Sequence, residues 1–443
     1  MRYTNKISRR TLWMVPCMLL FASFGLALGC NSTNEDELLP VPQGEEAGDS
    51  SFPRSKQDRF GTRFYDASSK YRRTPKLTEL ALPSVPHANA IWGATGRDDL
   101  GNVYLGVFCD YGERPSATLC RIVAGGNVAT ILGDANSNLD RIAFAAGESQ
   151  QAKIHGKPVQ ANDGFLYFAS MDEAGEKEDG SAFPTWGSHL WRIDPLGDGS
   201  YWEHVLHVPH ALIATACTGR YVYALGYFDH VVYQYDSEKS TTRVKTIGAA
   251  GGHVSRNFLV DLNEHCYIPR LTRSTNGSLR EAELVELDPQ LNEVTTHPLP
   301  EYGGTGDSKS HGIVSFVTLR DGDMLFVTAP GAMYRLHPDS TSGSKLERLG
   351  WVHPDGTSYA ACLICPDGES VVCSLARRPN SVFQWVINDV QAKTAEVMDF
   401  DEHATALLER PSTLLYGSNT MDNQGNAYLV GRFKGMSDSL LKL

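Results

Sequence analysis

Ala161-Asn162-Asp163-Gly164-Phe165-Leu166-Tyr167-Phe168-Ala169-Ser170, followed by Leu190-Trp191-Arg192-Ile193-Asp194, is the phrase on which the fold of this chain turns. The Asp-Gly pair tolerates positive φ and closes a tight hairpin. Beyond it, large residues alternate along an extended segment, and a further strand ends on Asp. The phrase recurs. Second-strand centres stand at Tyr104 (GNVYLG), Tyr167, Tyr223 (GRYVYALG), Tyr267 (EHCYIP), Phe326 (DGDMLFVT), Cys373 (DGESVVCSL) and Tyr428 (QGNAYLVG). Third strands follow as LCRI at 119, LWRID at 190, VYQYD at 232, LVELD at 284, MYRLHP at 333, VFQWVI at 382 and LLKL at 440. The centres are 44 to 63 residues apart. One such unit cannot cover its own two faces, whereas a ring of them covers every face and leaves few edges. The pattern predicts an all-β, seven-bladed β-propeller over residues 58–443. The chain reaches Leu443 on a third strand, so the last blade needs an outer strand from elsewhere. The segment between Phe60 and Leu82 is the natural donor, giving a ring closed by an N-terminal strand. Six or eight blades, or a sandwich of irregular hairpins, are the competing readings.

Ahead of the repeat lies a targeting segment, residues 1–29. Arg2, Lys6, Arg9 and Arg10 precede an apolar run from Thr11 to Leu28. That arrangement is an export signal, and Ser8-Arg9-Arg10-Thr11-Leu12 resembles its twin-arginine form. The ending Leu26-Ala27-Leu28-Gly29-Cys30 reads as a lipobox with Cys30 as the lipidated residue, although Ala27 replaces the usual Leu. Cleavage after Gly29, an uncleaved anchor and a lipid anchor are all open. Residues 30–57 are rich in Pro, Ser, Gly and acids and poor in apolar side chains, the composition of a flexible tether. The expected location is periplasmic or at the cell surface, with the membrane met only through this anchor and the domain itself a monomer.

A formal net charge of −12 argues against nucleic acid, which needs a basic stripe. It leaves room for an acidic substrate held by a few cations in one pocket. Seven cysteines remain after the anchor: Cys109, Cys120, Cys217, Cys266, Cys362, Cys365 and Cys373. Most sit in apolar runs and read as small buried hydrophobes; Cys362 and Cys365 on one strand would point to opposite faces. The run Asp134-Ala-Asn136-Ser-Asn138-Leu-Asp140 lacks the turn glycine and closing Glu of a calcium loop and reads as a polar connection between blades. No phosphate loop, nucleophile elbow or dinucleotide fingerprint is placed where it would work.

Histidines gather at one phase of the repeat. His87, His155, His210, His253, His311 and His353 stand at or near the starts of innermost strands, and Arg256 stands at another start. In a propeller those starts crowd one mouth of the central channel, where ligands favour the concavity. Inner-strand packing could select the same residues.

The sharpest local phrase is Lys153-Ile154-His155-Gly156, then NDGFLYFAS, then Trp186-Gly187-Ser188-His189 before LWRID, with Tyr227-Phe-Asp-His230 in the next unit. It resembles the seven-bladed propeller polysaccharide lyases, in particular the short ulvan lyases, over about one and a half blades. The resemblance implies that His155 and His189 are the active-site histidines, Tyr227 the catalytic tyrosine and Arg256 the arginine facing a uronate carboxylate. Tyr233 or Tyr235 could replace Tyr227. It also implies a structural zinc, to which Cys266, His253 and His311 could contribute. The residue types suit β-elimination on an acidic, sulfated or unsulfated, polysaccharide. Cations stabilise the enolate-like intermediate, and histidine or tyrosine moves the protons. A non-catalytic surface propeller lipoprotein binding glycan or protein is the main alternative, and a hydrolase with a channel-bound metal a further one.

Overall fold

The computed structural model describes residues 72–80, 85, 88–91 and 95–432, with gaps at 110–113, 145–150, 173–186, 228–229, 249–254, 274–279, 304–311, 380 and 409–413. The leader, the tether, Cys30, His87, His253, His311 and the LLKL segment lie outside the described residues.

Hairpin follows hairpin along the whole described chain. Strands β1 (Ala88–Ala90) and β2 (Gly96–Arg97) both pair with β3 (Val103–Cys109), which pairs on with β4 (Ser116–Ile122) and β5 (Ala129–Asp134). In the same way β6 (Lys153–Ile154) and β7 (Val159–Gln160) pair with β8 (Leu166–Met171), then β9 (Ser188–Ile193) and β10 (Glu203–Val208). One parallel bridge, Arg97 to Val159, joins these two groups. Four separate four-stranded antiparallel sheets follow in chain order. They are β11 (Leu212–Cys217), β12 (Tyr221–Gly226), β13 (Val231–Asp236) and β14 (Thr241–Thr246); then β15 (Leu259–Val260), β16 (Cys266–Arg273), β17 (Arg280–Leu287) and β18 (Glu293–Pro298). Next come β19 (Ile313–Thr318), β20 (Met324–Thr328), β21 (Ala332–His337) and β22 (Lys345–Trp351), and β23 (Tyr359–Ala360), β24 (Val371–Arg377), β25 (Phe383–Asp389) and β26 (Thr394–Asp399). A two-stranded sheet, β27 (Leu414–Met421) with β28 (Ala427–Arg432), ends the described part.

Burial grades across each sheet. The second and third strands, such as β8 and β13, are buried along their whole length, whereas the fourth strands β14 and β18 are mostly exposed. The apolar clusters lie between consecutive sheets. One joins Ile213, Tyr223 and Val232 to Phe258, Ile268 and Val285, and another joins Val314, Leu325 and Met333 to Leu363, Val372 and Val386. The first strands face inward: β2 neighbours β7 and β27, and β11 neighbours β7 and β15. This face-to-face stacking of small antiparallel sheets about their first strands is a β-propeller architecture.

All seven second-strand centres are buried, and a recurring device explains why Asp precedes them. The Asp98 carboxylate accepts from the Asn102 backbone N (2.9 Å), the Asn102 side chain (2.7 Å) and the Tyr104 hydroxyl (2.8 Å). Asp422 does the same for Asn426 and Tyr428, and Asp261 binds the His265 amide and the Tyr267 hydroxyl. One buried carboxylate thus ties a hairpin turn to the aromatic of the next strand, satisfying donors that burial would otherwise leave unpaired.

One sequence expectation changes here. The run expected to be a polar connection is a helix, α1 (Ala135–Arg141), whose N-cap Asp134 accepts from Ser137 N; the Asp at the cap position is the reason. Of the expected donor segment between Phe60 and Leu82 only residues 72–80 are described; they form no strand and pack Leu77 and Leu80 against the last and first sheets. A second helix, α2 (Glu402–Leu408), buries Ala404, Leu407 and Leu408 beside Leu77.

Candidate functional site

The first strand of the second sheet is broken, and the break carries the candidate residues. Its two pieces end at Ile154 and resume at Val159, leaving His155-Gly156-Lys157-Pro158 outside the ladder. Proline has no N–H to offer a ladder. Gly156 is needed for closeness, because a Cβ there would stand 2.6 Å from Thr215 Oγ1 and 2.8 Å from Thr215 N. Released from the pleat, the His155 ring turns toward the fourth sheet, where its Nε2 lies 3.1 Å from Arg256 Nη1. Arg256 stands just before β15. A guanidinium can only donate, so His155 Nε2 is the acceptor and its ring is neutral with the proton on Nδ1. His155 is 5% exposed. The structure therefore brings together two of the four expected site residues, from first strands two sheets apart.

His189 is not part of that pair. Register puts Ile154, Ser170 and His189 in one row across β6, β8 and β9, so their side chains share a face. That face turns to the first sheet, where Ile154, Phe168 and Trp191 pack with Tyr104 and Leu119. There the His189 Nδ1 meets His204 Nε2 at 2.9 Å, and its ring lies 4.7 Å from those of His207 and Phe144. His189 is fully buried. Burial, followed by the neighbouring His189 and His207, pushes the His204 imidazole down to about 4. Sequence reading missed this three-histidine cluster because its other members sit on the outer strand β10, where His207 pairs with His189 across the ladder. The i, i+3 spacing of His204 and His207 gave no signal of it, because a regular strand turns the two to opposite faces; the register shifts between His204 and Leu206.

The tyrosines divide as well. Tyr227 ends the hairpin after β12; its backbone N donates to Ala211 O at 2.6 Å and its ring packs at the border of the third and fourth sheets. Tyr233 on β13 pairs its hydroxyl with His210 Nδ1, and burial raises that phenol to about 12. His210 stands two residues before the first strand of the third sheet, the sheet between those of His155 and Arg256. His230 is a structural residue in a left-handed conformation (φ 48°). Its Nδ1 meets Pro269 O, its Nε2 accepts from Ser255 N, and burial lowers its pKa to about 4. His353 is likewise engaged, with Nε2 at 3.1 Å from Gln384 Oε1.

Of the residues expected to hold zinc, only Cys266 is described. It is fully buried on β16, and burial, then Asp261, pushes its thiol up. Among the described residues no group of three His, Cys, Asp or Glu is arranged to hold a metal ion. Of Cys109, Cys120, Cys217, Cys266, Cys362, Cys365 and Cys373, all but Cys217 are buried. Cys362 and Cys365 lie between β23 and β24 rather than on a strand; the Cys362 sulfur accepts from Leu375 N at 3.3 Å.

Below the His155 level the first strands enclose a cavity of about 190 Å³. Arg97, Lys157, Thr215, Val260, Phe316, Leu363 and Asn419 reach it from successive sheets. Lys157 was missed in the sequence, and the Gly-Lys-Pro break was its signal.

No family model matches the chain, and no curated protein does. Among solved structures it is similar to the Dos1 propeller (9% identity, TM-score 0.41, 75% of each chain). It is also similar to YCF48 bound to D1 peptide (11%, 0.40, 82% of this chain and 97% of that). A third is Sqt1 from Chaetomium thermophilum (8%, 0.45, 72% and 73%). Such distant likenesses assign no activity. The architecture rests on the sheet pairing described above.

Proposed function

We propose that this chain is a lyase that cleaves a uronate-containing acidic polysaccharide, sulfated or unsulfated, by β-elimination. The observation that carries the reading is the 3.1 Å contact between His155 Nε2 and Arg256 Nη1 at the starts of two first strands. A uronate carboxylate arriving there would draw the guanidinium to itself, because a charge-assisted bidentate pair outcompetes a bond to neutral imidazole. That frees His155 Nε2 as an acceptor. His155 takes the proton from the carbon beside the carboxylate, and Arg256 stabilises the enolate-like charge. The electron pair forms the C=C bond as the adjacent C–O bond breaks, and the leaving oxygen takes a proton from a phenol. Tyr227 is the residue the resemblance names for that step; Tyr233, held by His210 but packed between the second and third sheets, is the alternative. His189 stays outside the reacting set.

The reading includes a ring of seven blades, with a strand from the segment between Phe60 and Leu82 completing the last one. It also includes export, with Cys30 as the lipid anchor. One observation favours a non-catalytic glycan-binding propeller instead: Arg256 is already engaged and His155 is nearly buried. Incubation with a panel of uronate polymers, read by absorbance of the new C=C bond, separates the two. His155→Ala should lose about 10²–10⁴-fold in turnover, and Arg256→Ala should raise KM. Equal turnover in His155→Ala, or none by the native chain on any polymer, overturns the lyase reading.

A further inference from the structure

The cavity at the centre of the first strands is lined by two cations, Arg97 and Lys157, and by no carboxylate. That is unusual in a chain of net charge −12. Lys157 Nζ donates to Asn419 O at 2.9 Å and lies 5.0 Å over the Phe316 ring. Both partners are neutral, and among the described residues no carboxylate forms an ion pair with this amine. The Arg97 guanidinium donates to Met421 O (2.8 Å) and Asn423 Oδ1 (2.7 Å), again neutral oxygens. An ammonium held in a protein wall without a counter-ion has lost hydration that neutral partners restore only in part, and burial pushes the Lys157 amine down to about 8. Walls of low polarity such as Phe316, Val317 and Leu363 focus the remaining field into the cavity.

We propose that this central cavity binds one small oxyanion, with Lys157 as its charged anchor. The space suits a sulfate or a single carboxylate-bearing sugar ring, and both present the same chemistry to the amine. The other titratable or charged groups facing the cavity are Arg97, which stays charged, and the Cys217 thiol; His155 stands two residues before Lys157. The site is separate from the lyase reading and is tested without any polysaccharide.

Calorimetric titration of the full chain with sodium sulfate, and separately with sodium glucuronate, at constant ionic strength makes the test. One site is expected at pH 7. Affinity should fall about thirtyfold by pH 9.5, following the protonated fraction of an amine near 8. Lys157→Met should abolish the heat while keeping the native circular dichroism. Binding of both anions identifies a simple oxyanion site, and binding of glucuronate alone a sugar-acid site. No binding to the native chain, or affinity unchanged at pH 9.5 or in Lys157→Met, overturns the proposal. The pH arm stands even if the variant does not fold.

Discussion

His204 lies against the His189 imidazole, Trp191 and Phe144, and the consequence is a dependence of stability on pH. Its folded pKa of about 4 is below the ordinary value of 6.5, so the unfolded chain binds the proton more tightly. Its contribution to stability is present in full above pH 6.5 and is lost as pH falls toward 4. Partial exposure of the ring discounts the full shift, leaving about 1–2 kcal/mol at about 1.4 kcal/mol per unit. Thermal melts of the native chain and His204→Gln between pH 7 and 4 should therefore converge as pH falls. Parallel curves would show that the cluster does not titrate. At this scale the sequence placed His155 and Arg256 where strands start, and the structure brings the two within 3.1 Å because a propeller gathers its strand starts. That His189 faces the first sheet instead could not be read there, because the face of a strand residue depends on register, and one position along the ladder turns a side chain from one interface to the other.

The elements were the most legible level. Six of the seven third-strand phrases fall within described strands, and hairpin turns stand where Asp and Gly stand in the sequence. What pattern reading did not resolve is the reason for the Asp: the Asp98, Asp261 and Asp422 carboxylates are buried hubs of their turns. Asp98→Ala leaves the Tyr104 hydroxyl and the Asn102 amide without their acceptor in a buried site. Each buried donor left unpaired costs about 1–3 kcal/mol. The variant should melt several degrees lower, whereas Asp198→Ala, in an exposed turn that ties only Ser200, should change the melting temperature little. Equal shifts would mean that the hub is dispensable. The broken first strand was also unread. Gly156 and Pro158 interrupt the ladder between two residues that pair normally, and alternation counting passes over so short a break. Yet that break sends His155 to one side and Lys157 to the other.

For the whole molecule, the first and last described sheets meet. Arg97 donates to Met421 O, Thr95 Oγ1 donates to Tyr428 O, and Thr420 Oγ1 donates to Thr95 O at 2.7 Å. The segment before them adds an apolar clamp. Leu77 is 3% exposed and packs among Cys362, Leu375, Trp385, Phe400 and Leu429, and Leu80 packs near Tyr428 and Val103. A few residues of chain thus touch the sheets at both ends of the described repeat without adding a strand to either. The attachment of Leu77 and Leu80 depends on side-chain burial, which a strand pattern does not encode. Truncating a buried leucine costs about 2–5 kcal/mol. If Leu77 clamps the array, Leu77→Ala should lower the melting temperature and speed amide exchange in β28 and β25, the strands it touches, before β12 or β16. If the segment only covers a surface, exchange should rise locally around residues 72–80 and nowhere else. Exchange measured by peptide mass on the native and Leu77→Ala chains distinguishes these outcomes, because a clamp transmits its loss to both sheets it joins and a cover does not.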